Sequence, residues 1–124
     1  MQLTEHRNEH QLFVRKADAN SVTIIDRVYE RSVVLNAEAV IEDFPPRRVE
    51  DFDASAIDKV LSLEPEVVLL GTGARITFPA AAILAEFLKR RVGLETMDNA
   101  AAARTFNVLI GEGRRAVAVF LLPG

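Results

Sequence analysis

Three short segments of this 124-residue chain combine residue types that can bind or transform a ligand. The first is Gly71-Thr72-Gly73-Ala74-Arg75, directly after the apolar run Val67-Val68-Leu69-Leu70. In open α/β sheets ligands bind beyond the carboxyl ends of strands. Paired glycines there let the backbone approach closely and turn N–H groups toward an anion. The same glycines also suit a plain tight turn, and both readings stand at this level. A dinucleotide fingerprint would need a third glycine where Ile76 stands, and no P-loop lysine follows. No nucleotide or other cofactor is therefore expected.

The second segment is Met97-Asp98-Asn99. Asp98 could serve as a general base, but an aspartate at a helix N-cap accepts backbone N–H bonds that keep it ionised and weakly basic. Capping is the favoured role. If the strands before Gly71 and before Asp98 are parallel, both loops lie on one edge of the sheet. The third segment, Gly111-Glu112-Gly113-Arg114-Arg115, either clamps a phosphate or carboxylate or ends a helix whose dipole favours cations. The helix end is favoured, with Arg114 the foremost anion-binding residue.

Other residues offer less. Arg104 is expected to face solvent, and Arg47-Arg48 beside Pro45-Pro46 reads as solvated loop. His6 and His10 lack a third ligand, so no metal site is expected. There is no cysteine, which excludes disulfide scaffolds, thiol nucleophiles, iron–sulfur clusters and thiolate zinc sites. The remaining chain has no histidine for a Ser-His-Asp set. No catalytic residue is assigned.

The elements that would position these segments fall into two halves. Between residues 11 and 44, Leu12 and Val14 alternate with polar neighbours; Val22-Thr23-Ile24-Ile25, Val33-Val34-Leu35 and Val40-Ile41 follow. This pattern predicts an antiparallel meander, turning at Asp18-Ala19-Asn20 and at Glu30-Arg31. Pro45-Pro46 cannot donate to a ladder and end it. Strand–helix alternation then begins. Ser55 and Asp58 have capping-box spacing, ahead of a stripe of Ile57, Val60 and Leu61. Pro79 opens a second helix with Ile83, Leu84, Phe87 and Leu88 on one face, a Glu86–Arg90 pair opposite, and Gly93 at its end. A short strand over 94–97 leads to Asp98 as N-cap of a helix from 99 to about 110. Its buried stripe is Ala102, Phe106, Leu109 and Ile110, and Gly111 or Gly113 stops it. The continuous apolar runs 67–70 and 116–122 read as central strands covered on both faces. The expected class is α/β, with a mostly parallel core and an antiparallel N-terminal meander at an edge or folded over it.

Composition narrows the partners. The chain is 49% hydrophobic and carries a net charge of −3, the wrong sign for binding a phosphate backbone, so nucleic acid is not expected. No apolar run reaches the ~20 residues of a membrane-spanning helix, and the first ten residues lack a signal-peptide core. A cytoplasmic protein is the expectation, with one domain over 1–124 and a flexible segment at 1–10.

The C-terminal half resembles a known family. The carrying residues are Leu69-Leu70-Gly71-Thr72-Gly73, Met97-Asp98, Ala102, Arg104-Thr105-Phe106-Asn107-Val108-Leu109 and Glu112-Gly113-Arg114-Arg115. Together they resemble a family of small uncharacterised proteins that includes a mitochondrial complex I assembly factor and an adipogenesis-associated protein. The resemblance implies three layers around a mixed sheet with one strand antiparallel to the others. It carries Gly71, Gly73, Asp98, Thr105, Asn107, Glu112 and Arg114 over as family positions. Where the family commonly has threonine after Met-Asp, this chain has Asn99, which can cap or hydrogen-bond but offers no hydroxyl. The resemblance brings a fold and no enzymatic activity.

Two functions are expected. The first is a non-enzymatic interaction module with a protein partner, which the absent catalytic set and the small size favour and which the resemblance implies to be assembly-factor-like. The alternative is a small-molecule or anion-binding protein, or an enzyme, with a pocket where the Gly71-Thr72-Gly73 loop meets Asp98-Asn99, and Arg114 supplying charge.

Overall fold

The computed structural model describes residues 11–124; the expectations for 1–10, with His6 and His10, lie outside the described residues. In chain order the elements are β1 (Val14–Ala17), β2 (Val22–Ile24), β3 (Arg27–Tyr29), β4 (Arg31–Leu35), β5 (Val40–Ile41), α1 (Ala54–Leu61), β6 (Val67–Gly71), α2 (Ala81–Lys89), β7 (Gly93–Met97), α3 (Asn99–Gly111) and β8 (Ala116–Pro123).

The two apolar runs behave as their composition demands. β6 and β8 are the inner strands of a five-stranded sheet ordered β5-β4-β8-β6-β7. Every residue of β6 is buried, and so is β8 from Ala116 to Leu122. β6 runs parallel to both neighbours, with Val67 opposite Gly93 and Ala116. β4 is the antiparallel strand, pairing with β8 and with β5. At the irregularity between Arg31 and Val33, the buried Ser32 hydroxyl accepts from Leu122 N at 2.9 Å and so replaces a ladder bond.

Side chains alternate through the sheet into two cores. On one face Val34, Val68, Leu70, Val117, Val119 and Leu121 meet Ile57 and Val60 of α1 and Phe87 of α2. On the other, Leu69, Ala118, Phe120 and Leu122 meet Ala102, Ala103, Phe106 and Ile110 of α3. Val14, Val22 and Ile24 join that second core from a separate antiparallel sheet, β1-β2-β3. These are the three layers that the resemblance implies.

Several local expectations are corrected. The meander divides: β1-β2-β3 fold as one sheet, whereas β4 and β5 leave it for the central sheet. Its second turn falls at Ile25, in the left-handed region at φ 57°, and Arg31 already belongs to β4. The α1 N-cap is Asp53, whose carboxylate accepts from Ala56 N at 2.9 Å, so Ser55 lies inside the first turn. Pro79 precedes α2 and Gly93 opens β7; the positive φ after α2 belongs to Arg91, at 60°. Glu86 pairs with Lys89 at 3.0 Å because the helix ends before Arg90 can complete a further turn.

The α2 face is also narrower than its apolar stripe. Phe87 is buried, but Leu84 and Leu88 stay 39% and 75% exposed. α2 lies along β7 at the sheet margin, where only one line of its side chains finds a neighbour.

Candidate functional site

The glycine loop leaves β6 at the carboxyl end of the sheet, beside Met97 at the end of β7. Gly71 is fixed by close approach. A Cβ there would strike the Asn99 Oδ1 and come within 3.1 Å of the Val119 carbonyl oxygen. Gly73 takes φ 94°, the left-handed region that glycine tolerates at no steric cost.

Asn99 ties this end of the molecule together. It is fully buried. Its Oδ1 accepts from Gly73 N at 3.1 Å, and its Nδ2 donates to Asp18 O at 3.0 Å and Leu121 O at 3.3 Å. Its own backbone N–H donates to Gly73 O at 2.8 Å. One amide thus joins the glycine loop, the β1–β2 turn, β8 and α3. Thr72 secures the loop from the other side: its hydroxyl donates to Arg75 O at 2.5 Å and accepts from Thr77 N at 3.0 Å. Thr72 N donates to Met97 O at 3.0 Å. Asp98 caps α3, accepting from Ala101 N at 2.7 Å.

The remaining sequence-selected residues lie elsewhere. Asn107, in the body of α3, accepts from Val14 N at 2.9 Å and donates to Val14 O at 2.8 Å, pairing with β1 as another strand would. Thr105 is half-buried on α3, and Glu112 is exposed at its C-cap. Arg114 stands at the amino end of the sheet, before β8, where its Nε lies 2.7 Å from the Glu66 carboxylate. Arg115 adds a second contact to Glu66 at 3.6 Å. The structure therefore gathers Gly71, Thr72, Gly73, Asp98 and Asn99 at one end and holds Glu112 and Arg114 at the other. Arg114 borders a separate cleft of about 440 Å³ there, with Asn36, Glu64 and Gly113 among its walls.

The Arg114 guanidinium holds the Glu66 carboxyl below its ordinary value of 4.5. A depressed carboxylate pKa adds stability above its unfolded value, and that share is lost as pH falls through the folded value. Glu66→Gln should therefore lower the urea midpoint at pH 6, with the gap from the parent chain closing below about pH 4. A gap that stays constant with pH would show that the pair does not act through charge.

Arg47 and Arg48, expected in a solvated loop, are exposed there. They border an open cleft of about 640 Å³ at the carboxyl end of the sheet, with Thr72, Gly73, Leu121 and Asn20 among its other walls. Asp51 arranges the pair, its Oδ2 accepting from Arg47 N and from Arg48 N at 3.1 Å each. Those bonds hold the Asp51 carboxyl below its ordinary value of 3.8. The available signal was the spacing of Asp51 from Arg48, an acceptor three residues past two consecutive N–H groups.

A mixed sheet between an α1–α2 layer and a layer of α3 with a small sheet, latched at its carboxyl end by a buried amide, defines a small three-layer α/β domain. The family model described as protein of unknown function (DUF498/DUF598) matches residues 14–121, and the chain belongs to that family. The NMR structure of XCC1710 from Xanthomonas campestris is 38% identical, with a TM-score of 0.84, covering 98% of this chain and 92% of that one. The Danio rerio protein named NADH dehydrogenase [ubiquinone] 1 alpha subcomplex assembly factor 3 is 29% identical over 131 residues, spanning 96% of this chain and 75% of that protein. A Francisella tularensis subsp. holarctica protein named 13 kDa major membrane protein is 23% identical over 124 residues, 98% of this chain and 99% of that one. Among the described residues, no helix is long and apolar enough to cross a membrane.

Proposed function

We propose that the chain is a non-enzymatic, assembly-factor-like module that docks a protein partner on the exposed face of α2 and the loop before it. One observation carries this reading. Four of the large exposed apolar side chains cluster in sequence between residues 76 and 88: Ile76 at 52%, Phe78 at 72%, Leu84 and Leu88. Large apolar side chains left exposed in one short segment are the raw material of an interaction site. Leu84 and Leu88 are one helical turn apart, on one side of α2. Arg75 precedes the patch and Arg90 and Arg91 follow it, all exposed. That flank suits a partner segment that is apolar at its centre and acidic at its ends. The assembly-factor name of the Danio rerio relative supports a protein partner.

The test is a paired capture with Phe78→Asp/Leu88→Asp, substitutions at exposed positions that leave both cores intact. A stoichiometric protein partner should be retained by the parent chain, lose at least tenfold of its affinity on the double variant, and bind more weakly as salt screens the arginines. Two results would overturn the reading. One is a partner retained equally by both proteins. The other is a face whose loss changes only self-association or binding to anionic vesicles.

A further inference from the structure

The cleft at the carboxyl end of the sheet carries a second inference, independent of the α2 face. We infer that Arg47 and Arg48 make this cleft a binding site for a small organic anion, one with a phosphate or carboxylate head and a compact apolar body. Four segments distant in sequence meet there: the β1–β2 turn at Ala19 and Asn20, the Arg47-Arg48 loop, Thr72-Gly73, and the end of β8 at Leu121 and Pro123. Such convergence beyond the carboxyl ends of parallel strands is where open α/β sheets bind ligands. The volume of about 640 Å³ falls within the range of small-molecule sites.

The local charge favours an anion in a chain that is acidic overall. Arg47 forms no ion pair among the described residues, and the Arg48 guanidinium approaches Asp51 only to 3.9 Å. Asp51 directs its Oδ2 at the backbone N–H groups of both arginines. It fixes the loop and leaves two cations against one carboxylate in the wall. Arginine pairs bind carboxylate and phosphate oxygens with directional, charge-assisted bonds. The apolar surfaces of Pro123 and Ala19 would take the body of the ligand. Gly73 N–H is held by Asn99, so the arginines, and not a glycine cradle, supply the recognition.

Amide-resolved NMR titration tests this with three probes at constant ionic strength: inorganic phosphate, phenyl phosphate and benzoate. Saturable shifts confined to Asn20, Arg47, Arg48, Thr72, Gly73 and Leu121 are expected with at least one organic probe, which then identifies the head group. Inorganic phosphate should bind more weakly than phenyl phosphate, since it lacks the apolar body. Arg47→Ala/Arg48→Ala should lower affinity at least about tenfold, as expected for lost charge-assisted bonds. Alanine keeps both backbone N–H groups, so the Asp51 bonds and the loop persist. Phe78→Asp/Leu88→Asp should leave the shifts unchanged, which separates this site from the docking face. No saturable shift with any probe, shifts scattered over the surface, or unchanged affinity in the arginine variant would overturn the inference.

Discussion

Asn99→Leu should lower the unfolding free energy by about 3–5 kcal/mol, read from urea denaturation with an unchanged m-value. The substitution keeps the bulk of the side chain and removes every polar bond it makes. Gly73 N–H, Asp18 C=O and Leu121 C=O each lose a partner. A buried group left unsatisfied costs about 1–3 kcal/mol; the Leu121 carbonyl is buried and loses this in full, whereas the part-buried Gly73 N–H and Asp18 C=O lose less, and the buried asparagine site itself is left with no polar match for any of them. The damage should concentrate at the carboxyl end of the sheet, where amide exchange of the glycine loop and the β1–β2 turn should accelerate most. Gly71 supplies the internal check. Gly71→Ala places a methyl group against the Asn99 Oδ1. In an Asn99→Ala background that obstacle is gone, so the two substitutions together should cost at least about 1 kcal/mol less than their sum. Some penalty remains, because the Val119 carbonyl oxygen still lies at 3.1 Å and the Ala102 Cβ at 3.3 Å. Strict additivity would show that Gly71 and Asn99 are not in the contact described.

What was legible in the sequence was what one side chain and its near neighbours decide. Runs 67–70 and 116–122 admit only burial on both faces, and they became β6 and β8. Asp98 before a helical stripe admits a cap, and it caps α3. Choices that depend on distant partners were not legible. Nothing local tells Val33-Val34-Leu35 to pair with β8 in place of the strand before it, so the division of the meander was hidden. β3 presents Val28 to solvent at 57% and so lacks the alternation that marks a half-buried strand. An apolar stripe shows which side chains could be covered and says nothing of the width of the cover; Leu84 and Leu88 fell outside it. Asn99 and Asn107 looked like ligand-binding polar groups because their partners are backbone atoms up to 93 residues away.

The split of the candidate residues between two ends follows from topology. A loop that follows a parallel strand and a loop that precedes one lie at opposite edges. Gly71 closes β6 and Asp98 follows β7, whereas Arg114 comes just before β8, which runs parallel to β6. Once β8 is known to be parallel, Arg114 cannot supply charge to the glycine loop. The cation had to come from a connection reaching the carboxyl edge, and the segment carrying Arg47 and Arg48 does so.

Phe106→Ala should cost about 3–5 kcal/mol, a large part of a typical total of about 5–15 kcal/mol. Phe106 is fully buried in the core shared by α3, the central sheet and β1-β2-β3. The cost of a large-to-small change depends on whether the surroundings can collapse into the space. Here they are held. Asn107, the next residue, clasps both backbone polar groups of Val14, and Asn99 anchors the start of the same helix. α3 cannot slide toward the sheet without breaking one of them, which places the expected loss at the upper end of the range. Val108→Ala provides the control on the same helix, since Val108 is 58% exposed and its truncation should change stability by less than about 0.5 kcal/mol. Phe106→Leu should recover most of the loss by refilling the site. A cost below about 1.5 kcal/mol for Phe106→Ala, with the Asn107 bonds intact by amide exchange at Val14, would mean that α3 does not roof the sheet.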